Sequence, residues 1–282
     1  MGATDPGKAI RLLAVDIDGT LVSEGDLVTP PTRAAMQVAH GRMALVLATG
    51  RRYRTARAVL SSLGLALPVV CLGGSLTKGA DGRTLDAVAF DPAHIDDLLV
   101  LAREHGLALI LQRDAHALGG PDFVVDASVP WNGPTESYVR FGGPVGSSDP
   151  SIVRSRHEDV LVVGCFGGRE ELGALEADIA ALGRHETVLV PSKKTPGWYL
   201  EVIVGGVSKW TALKRYAARI GVAENTICAV GDALNDLPMI RGAGFGVAMG
   251  NADPTVKAAA AWTTGRNDED GVASLIEHLF DF

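Results

Sequence analysis

Cysteine is scarce: Cys71, Cys165 and Cys228 are the only three in 282 residues. Each lies in an apolar stretch, without the paired spacing of a zinc site or a disulfide framework, so both are excluded and buried thiols in a reducing compartment are expected. Long apolar runs are missing too. No stretch reaches the roughly 18 residues of a membrane span, and "MGATDPGKAI" lacks a basic segment followed by an apolar run. The expectation is a soluble, cytoplasmic protein that is not exported. Basic residues are outnumbered, with 26 Lys and Arg against 33 Asp and Glu, a net charge of −7 and no block of like charge. Such a surface repels phosphodiester backbones, which disfavours nucleic acid as a partner and obliges any anionic substrate to find a local counter-charge. Internal repeats and low-complexity tracts are absent as well.

What is present describes a folded chain. Hydrophobic residues make up 47% and charged residues 21%, with a mean hydropathy of +0.19, far from the profile of disorder. The length suggests two domains. "RLLAVDI", "MALVLATG" and "LPVVCL" are short apolar runs of the kind buried on both faces of a parallel sheet. "TPPTRAAMQVAHG" has a Thr N-cap signal, prolines at its start and a closing Gly and so reads as a helix, and "RRYRTARAVLSSLG" reads as a second. The same alternation returns in "SKWTALKRYAARIG", "TICAVGD", "ALNDLPMIRGAG", "FGVAMG", "ADPTVKAAAA" and "DGVASLIEHLF". The pattern predicts an α/β fold: a doubly wound, mostly parallel, Rossmann-like core at 1–78 and 198–282. An inserted α/β cap domain is expected at 79–197, where "NGPTESYVRFGGPVGSSDPS" reads as connecting loop and short edge strand.

Three polar signatures fall at strand ends of the predicted core. Asp16 and Asp18 end the first strand, Thr49 and Gly50 the second, and Asp232, Asn235 and Asp236 follow the strand from Thr226. Open α/β sheets bind ligands at that edge. Asp16 and Asp18, two apart in extended chain, point to one side. With Asp232 and Asp236 they repel strongly unless a cation sits among them, and a few hard oxygens suit Mg²⁺ better than Ca²⁺ or zinc. Thr49 and Gly50 precede a helix whose amides favour an anion. Lys209 adds a fixed positive charge.

"DIDGTL", "LATGR", "GVSK" and "GDALND", in that order, resemble the four motifs of the haloacid dehalogenase superfamily, in particular its Cof-type (subfamily IIB) phosphatases. The resemblance spans the whole chain, and "GVAMGNADPTVKAAA" resembles the family as well. It implies Asp16 as nucleophile and metal ligand, and Asp18 as general acid and base offering its backbone carbonyl to the metal. It implies that Thr49, Gly50 and Lys209 bind the phosphoryl group, with Asp232 on the metal supported by Asn235 and Asp236. The expected activity is Mg²⁺-dependent hydrolysis of a small phosphorylated metabolite, a sugar phosphate, through an aspartyl-phosphate, by a monomer or homodimer. A sugar phosphomutase using the same nucleophile and a non-catalytic phosphometabolite-binding protein are the alternatives. Two positions depart from the family pattern: Gly73-Gly74 stands where Asn-Gly is expected, and Trp210 where Gly is expected.

Plainer roles compete at several positions. Thr49 could be a helix N-cap, and Asp236 could hold a neighbouring amide. Trp131, Trp198 and Tyr199 read as packing, and His94, His105, His116 and His157 as surface positions. The inserted domain is expected to close over the core and supply specificity, with Arg113, Asp114, Arg140 and Lys193 as its first polar candidates.

Overall fold

The computed structural model describes residues 10–23, 25–118, 120–142, 145–152, 157–192 and 195–280, at 117 and 118 for the backbone only. Residues 1–9, where the sequence was read for a leader, and Lys193 therefore lie outside the described residues. The chain opens with β1 (Leu12–Asp16), α1 (Pro30–His40), β2 (Ala44–Ala48), α2 (Tyr53–Leu63), β3 (Val69–Cys71), β4 (Leu76–Lys78) and β5 (Thr84–Ala87). There follow α3 (Pro92–Glu104), β6 (Ile110–Arg113), α4 (Ala115–Leu118), β7 (Phe123–Asp126), α5 (Gly133–Gly142), β8 (Gly146–Asp149), β9 (Val160–Gly167), α6 (Arg169–Ala181), β10 (His185–Pro191) and β11 (Trp198–Val204). The last stretch carries α7 (Lys209–Arg219), β12 (Ile227–Gly231), α8 (Leu237–Gly242), β13 (Phe245–Ala248), α9 (Pro254–Ala259), β14 (Trp262–Thr263) and α10 (Gly271–Phe280). Contacts divide the chain into two units, Met1–Asp86 with Ser208–Phe282, and Ala87–Val207.

The first unit is built on one sheet in the order β14-β13-β12-β1-β2-β3-β4-β5. Its six leading strands pair in parallel, and β4 runs antiparallel to β3. Every residue of β1, β3 and β12 is buried, which a sheet achieves only when both faces are covered. Helices cover them: α1 packs on α10 and α2, and α7 on α8. The helix limits follow from local chemistry. The Thr29 side chain accepts the Thr32 amide at the start of α1, Ser208 accepts the Thr211 amide at the start of α7, and Gly64 ends α2 at φ 68°.

The second unit is a six-stranded, mostly antiparallel sheet in the order β10-β11-β9-β6-β7-β8, with β7 and β8 parallel. On one face Ile95, Leu99, Leu172 and Leu175 of α3 and α6 pack with Leu109, Val163 and Leu200. On the other, Phe123, Tyr138, Phe166 and Tyr199 form a row with successive ring centroids 4.9, 5.3 and 4.8 Å apart. Trp131 packs there too and donates to the Asp126 carbonyl, while Trp198 packs on the opposite face.

Where the sequence suggested connecting loop and a short edge strand at 132–151, β8 is that edge strand, but half of the stretch is helix α5. The Asn132 side chain accepts both the amide and the hydroxyl of Thr135, and donates to the Phe166 carbonyl, so the helix start is fixed from the sheet. Gly142 and Gly146 lie under Phe123, where a Cβ would come within 2.5 and 2.2 Å of its ring; these glycines signal contact, not a turn. Three further strands, β4, β5 and β14, extend the first sheet, and β11 lies between β9 and β10 in the second. Residues 79–86 thus belong with the first unit and 198–207 with the second, against expected junctions at 78/79 and 197/198. The apolar reading of "ALNDLPMIRGAG" as one helix divides into a 3₁₀ turn, Leu234–Asp236, followed by α8.

Candidate active site

Parallel strands β1 and β12 are neighbours, pairing Val15 with Val230, so the residues following them emerge side by side at one sheet edge. Asp16 ends β1, and Asp232 follows β12. Asp236 lies one turn further on, and each of these three carboxylates places an oxygen within 4.8 Å of the others. Lys209, the first residue of α7, reaches into the group. Its Nζ donates to Asp16 Oδ1 at 2.7 Å and to Asp236 Oδ1 at 2.6 Å, with Lys209, Asp16 and Asp236 all buried.

Asp236 is anchored on every side. Its Oδ2 accepts the amides of Asp232 and Ala233 at 3.1 and 3.0 Å. The carboxylate tucks under the end of β12, where a Cβ on Gly231 would meet its Cγ at 2.5 Å. Of the two roles weighed for it, the amide partner is present in its two amide bonds, and its other oxygen stands in the acidic group. Asp16, by contrast, gives only Oδ1 to Lys209, and its Oδ2 makes no hydrogen bond among the described residues.

Three carboxylates against one ammonium leave two negative charges in a buried place. Burial, and then repulsion from Asp236, push the Asp16 carboxyl well above the usual range, with Lys209 opposing. Burial opposes the Lys209 charge as well, but Asp16 and Asp236 outweigh it and raise its pKa. A divalent cation cancels the two excess charges, and a set of carboxylate oxygens is the donor chemistry of a hard ion.

The loop after β1 is shaped around Asp232. Thr20 donates its hydroxyl to Asp232 Oδ1 at 3.1 Å. Gly19 has φ 84°, and a Cβ there would lie 2.3 Å from Asp232 Oδ2. Asn251, within the "GVAMGNADPTV" stretch, donates to the Gly19 carbonyl at 2.8 Å and holds the loop from the far side. Gly19→Ala is accordingly expected to cost about 1–3 kcal/mol through strain and displacement, read as a lower midpoint in urea unfolding.

Asp18 stands apart from the carboxylate cluster. Its side chain is held by Arg51, Nη2 to Oδ1 at 2.6 Å and Nε to Oδ2 at 2.9 Å, and the same guanidinium also grips Asp26. Arg51 has no role in the sequence reading beyond its place in "LATGR"; only the fold reveals what it meets. Thr49 is buried, and its Oγ1 accepts the Arg51 amide at 3.0 Å. It is not the helix cap, since α2 is preceded by Arg52. Gly50 is exposed, and a Cβ there would touch nothing within 4 Å. Asn235 is exposed in the 3₁₀ turn that carries Asp236.

The structure places both departures. Gly74, at φ 116°, passes so close to α7 that a Cβ would sit 2.2 Å from the Ser208 carbonyl oxygen; Gly73, at φ 63°, donates its amide to the Thr49 carbonyl. Trp210 lies against Gly242, where a Cβ would meet its ring at 2.2 Å, so its bulk is taken up between α7 and α8. In the second unit Arg113 is tied to Asp159, Asp114 is buried and Arg140 is exposed on α5. All three cysteines are buried thiols; burial raises Cys165 to about 12 and Cys228 further. No helix among the described residues is long and apolar enough to cross a membrane.

Known proteins resemble this chain over most of its length. A family model described as haloacid dehalogenase-like hydrolase matches residues 13–276. The 5-amino-6-(5-phospho-D-ribitylamino)uracil phosphatase YcsE of Bacillus subtilis (strain 168) is 29% identical over 272 residues, 95% of each chain. The pyridoxal phosphate phosphatase YbhA of Escherichia coli (strain K12) is 28% identical over 284 residues, 95% of this chain and 98% of that one. Among solved structures, the phosphatase BT1666 from Bacteroides thetaiotaomicron superposes with a TM-score of 0.79 at 25% identity, covering 98% of this chain and 97% of the other.

Proposed function

The chain belongs to the haloacid dehalogenase-like hydrolase family, and from that premise we propose that it is a Mg²⁺-dependent phosphatase cleaving a small phosphorylated metabolite, a sugar phosphate, through an aspartyl-phosphate. The observation that carries this reading is the group of buried Asp16, Lys209 and Asp236 with half-buried Asp232, one carboxylate oxygen of Asp16 being uncommitted. Relatives named as phosphatases of a phosphoribityl compound and of pyridoxal phosphate support a small phosphate ester as substrate.

Asp16 Oδ2 attacks phosphorus and the ester P–O bond breaks, with Asp18 protonating the leaving oxygen. Water then attacks the same phosphorus, Asp18 takes its proton, and Asp16 is released with inorganic phosphate. Lys209 steadies the nucleophile and the negative charge of the phosphoryl group throughout. Thr49 and the Gly50 amide, beside the exposed space over Gly50, receive phosphoryl oxygens, with Asn235 contributing from its turn. Asp16, the Asp18 backbone carbonyl and Asp232 would hold Mg²⁺, with Asp236 in support. When bound, the ion neutralises the carboxylates and the phosphoryl group, which favours attack by an anion.

Arg51 is a positioning residue in this scheme, since it fixes where the Asp18 carboxylate stands. Arg51→Ala is expected to lower kcat by about 10- to 100-fold with a smaller change in KM. Arg51→Lys restores little, because an ammonium cannot grip two carboxylates in a planar fork. Steady-state kinetics on any accepted substrate separates the two parameters. The reading as a whole is tested by phosphate release from a panel of sugar phosphates and an aryl phosphate. Release that depends on Mg²⁺ supports it; no release from any member, with or without Mg²⁺, overturns it.

A further inference from the structure

The stretch "GVAMGNADPTVKAAA" has no part in the chemistry of the strand-end acids, yet it leaves the sheet beside them. β13 lies next to β12, and β14 next to β13, all parallel, so the turn at 249–253 and the loop at 264–270 emerge at the edge that bears Asp232. Both belong to the first unit. In the turn, the Asp253 amide donates to the Asp232 carbonyl at 2.9 Å, and the Asn251 side chain donates to the Gly19 carbonyl at 2.8 Å. One turn therefore holds the backbone of Asp232 and of the residue after Asp18.

Asn267, in the loop before α10, completes the hold. Its Nδ2 donates to the Val22 carbonyl at 3.0 Å, and its backbone amide donates to Asn251 Oδ1, also at 3.0 Å. Val22 forms a single bridge with Asp18 and gives its own amide to the Ile17 carbonyl. The two asparagines thus grip the turn that carries Asp18 on either side of Thr20. Asn251 meets a carbonyl with its NH₂ and an N–H with its oxygen, a demand that neither a carboxylate nor an aliphatic chain of that size satisfies. The grip is itself braced. The Gly250 amide donates to the Gly265 carbonyl at 2.9 Å, Lys257 Nζ to the Gly250 carbonyl at 2.5 Å, and the Thr264 hydroxyl to the Gly271 carbonyl at 2.7 Å. Asp270, from the same loop, accepts the hydroxyls of Thr29 and Thr32, which fixes the far end of the connection between β1 and α1.

Arg51 acts on the Asp18 carboxylate; the asparagines act on its backbone. The Asp18 side chain is 44% exposed, so these bonds, and not core packing, decide where it stands. Resting on the phosphatase reading, we propose that Asn251 and Asn267 are positioning residues for proton transfer by Asp18. In the first half of the reaction the bond from Asp16 Oδ2 to phosphorus forms, the ester P–O bond breaks and the Asp18 proton passes to the departing oxygen. Only that last event needs Asp18 within hydrogen-bond reach of the ester. Freeing the Gly19 or Val22 carbonyl lets the turn shift, and a displacement of about 1 Å is enough to slow a positioned step substantially. Asp16 and Lys209 are held by β1 and α7 and keep their places.

Comparison of two leaving groups tests this. The oxygen of a nitrophenol departs readily without a proton, whereas the alkoxide of a sugar does not, so only the sugar ester depends on Asp18 as an acid. We take kcat/KM, which covers the steps up to departure of the alcohol, for 4-nitrophenyl phosphate and for the sugar phosphate that the parent chain hydrolyses fastest. Asn267→Ala should lower the sugar-ester value by about tenfold, and Asn251→Ala, which removes two hydrogen bonds, by more. The aryl-ester value should fall by less than about threefold in each. A loss of folded protein lowers both values by one factor and leaves their ratio untouched, so a changed ratio marks positioning. An unchanged ratio in both variants overturns this proposal alone. A parent chain that hydrolyses no sugar ester overturns the substrate reading, and this proposal with it.

Discussion

Asp16→Asn is expected to remove turnover by a factor of about 10⁴ or more while leaving the metal-free fold at least as stable as before. The amide is the same size as the carboxylate, and its oxygen still accepts from Lys209, whose Nζ lies 2.7 Å away. It cannot attack phosphorus. What the substitution removes from the resting protein is a buried charge beside Asp236 and Asp232, the environment that raises the Asp16 carboxyl pKa. The sign of the pH effect follows. An acid whose pKa is higher in the folded state contributes stability below its unfolded value and loses it as pH rises through its folded value. In chelator, therefore, the parent chain should lose stability as pH climbs from the ordinary carboxylate range through the raised Asp16 value, and Asp16→Asn should flatten that slope. Urea unfolding at a series of pH values, with phosphate release assayed in parallel, checks both halves. Full activity in the variant would end the nucleophile assignment.

Lys209→Met should be damaging in both respects. It strips the one ammonium from a group of three carboxylates and leaves Asp16 and Asp236 buried with a shared deficit. Losing one partner of a buried pair costs about 3–5 kcal/mol, and losing a charge aimed at the transferring group costs about 10²- to 10³-fold in kcat. Adding Asp236→Asn to Lys209→Met should recover part of the stability and none of the rate. The double-mutant cycle thus separates the structural debt of the lysine from its chemical role. Independent, additive effects on stability would show that the two side chains do not act as a pair.

How much of this was readable from the sequence varies with the physics of each element. The strands β1, β2 and β12 stand out because sheets covered on both faces need unbroken apolar runs, and α1, α2 and α7 because Thr29, Gly64 and Ser208 punctuate them. Acids placed where such runs stop were visible for the same reason. Helix α5 was hidden, since its start is fixed by a contact from Asn132 to β9, and its flanking glycines, which read as loop, make room for Phe123. The strands β4 and β5 have three and four residues, too few for a period to show. The pairing of Arg51 with Asp18 and Asp26 crosses between loops; no spacing rule encodes it. Gly19, Gly74 and Gly231 look alike in sequence, yet each answers to a different neighbour.

The neighbour of β1 on one side is β2, about thirty residues away, but on the other it is β12, which begins at Ile227. During synthesis, at about 5–20 residues per second, β1 waits on the order of ten seconds with that hydrogen-bonding edge unpaired while the whole inserted unit is made. An unpaired apolar edge is an invitation to wrong partners, so the nascent N-terminal stretch is the vulnerable period in this protein's life. The same delay means that Asp16 acquires Lys209, Asp232 and Asp236 only when nearly all of the chain has been translated. Premature termination anywhere before Asp236 therefore yields a product without the assembled acidic group, and so no fragment with half an activity.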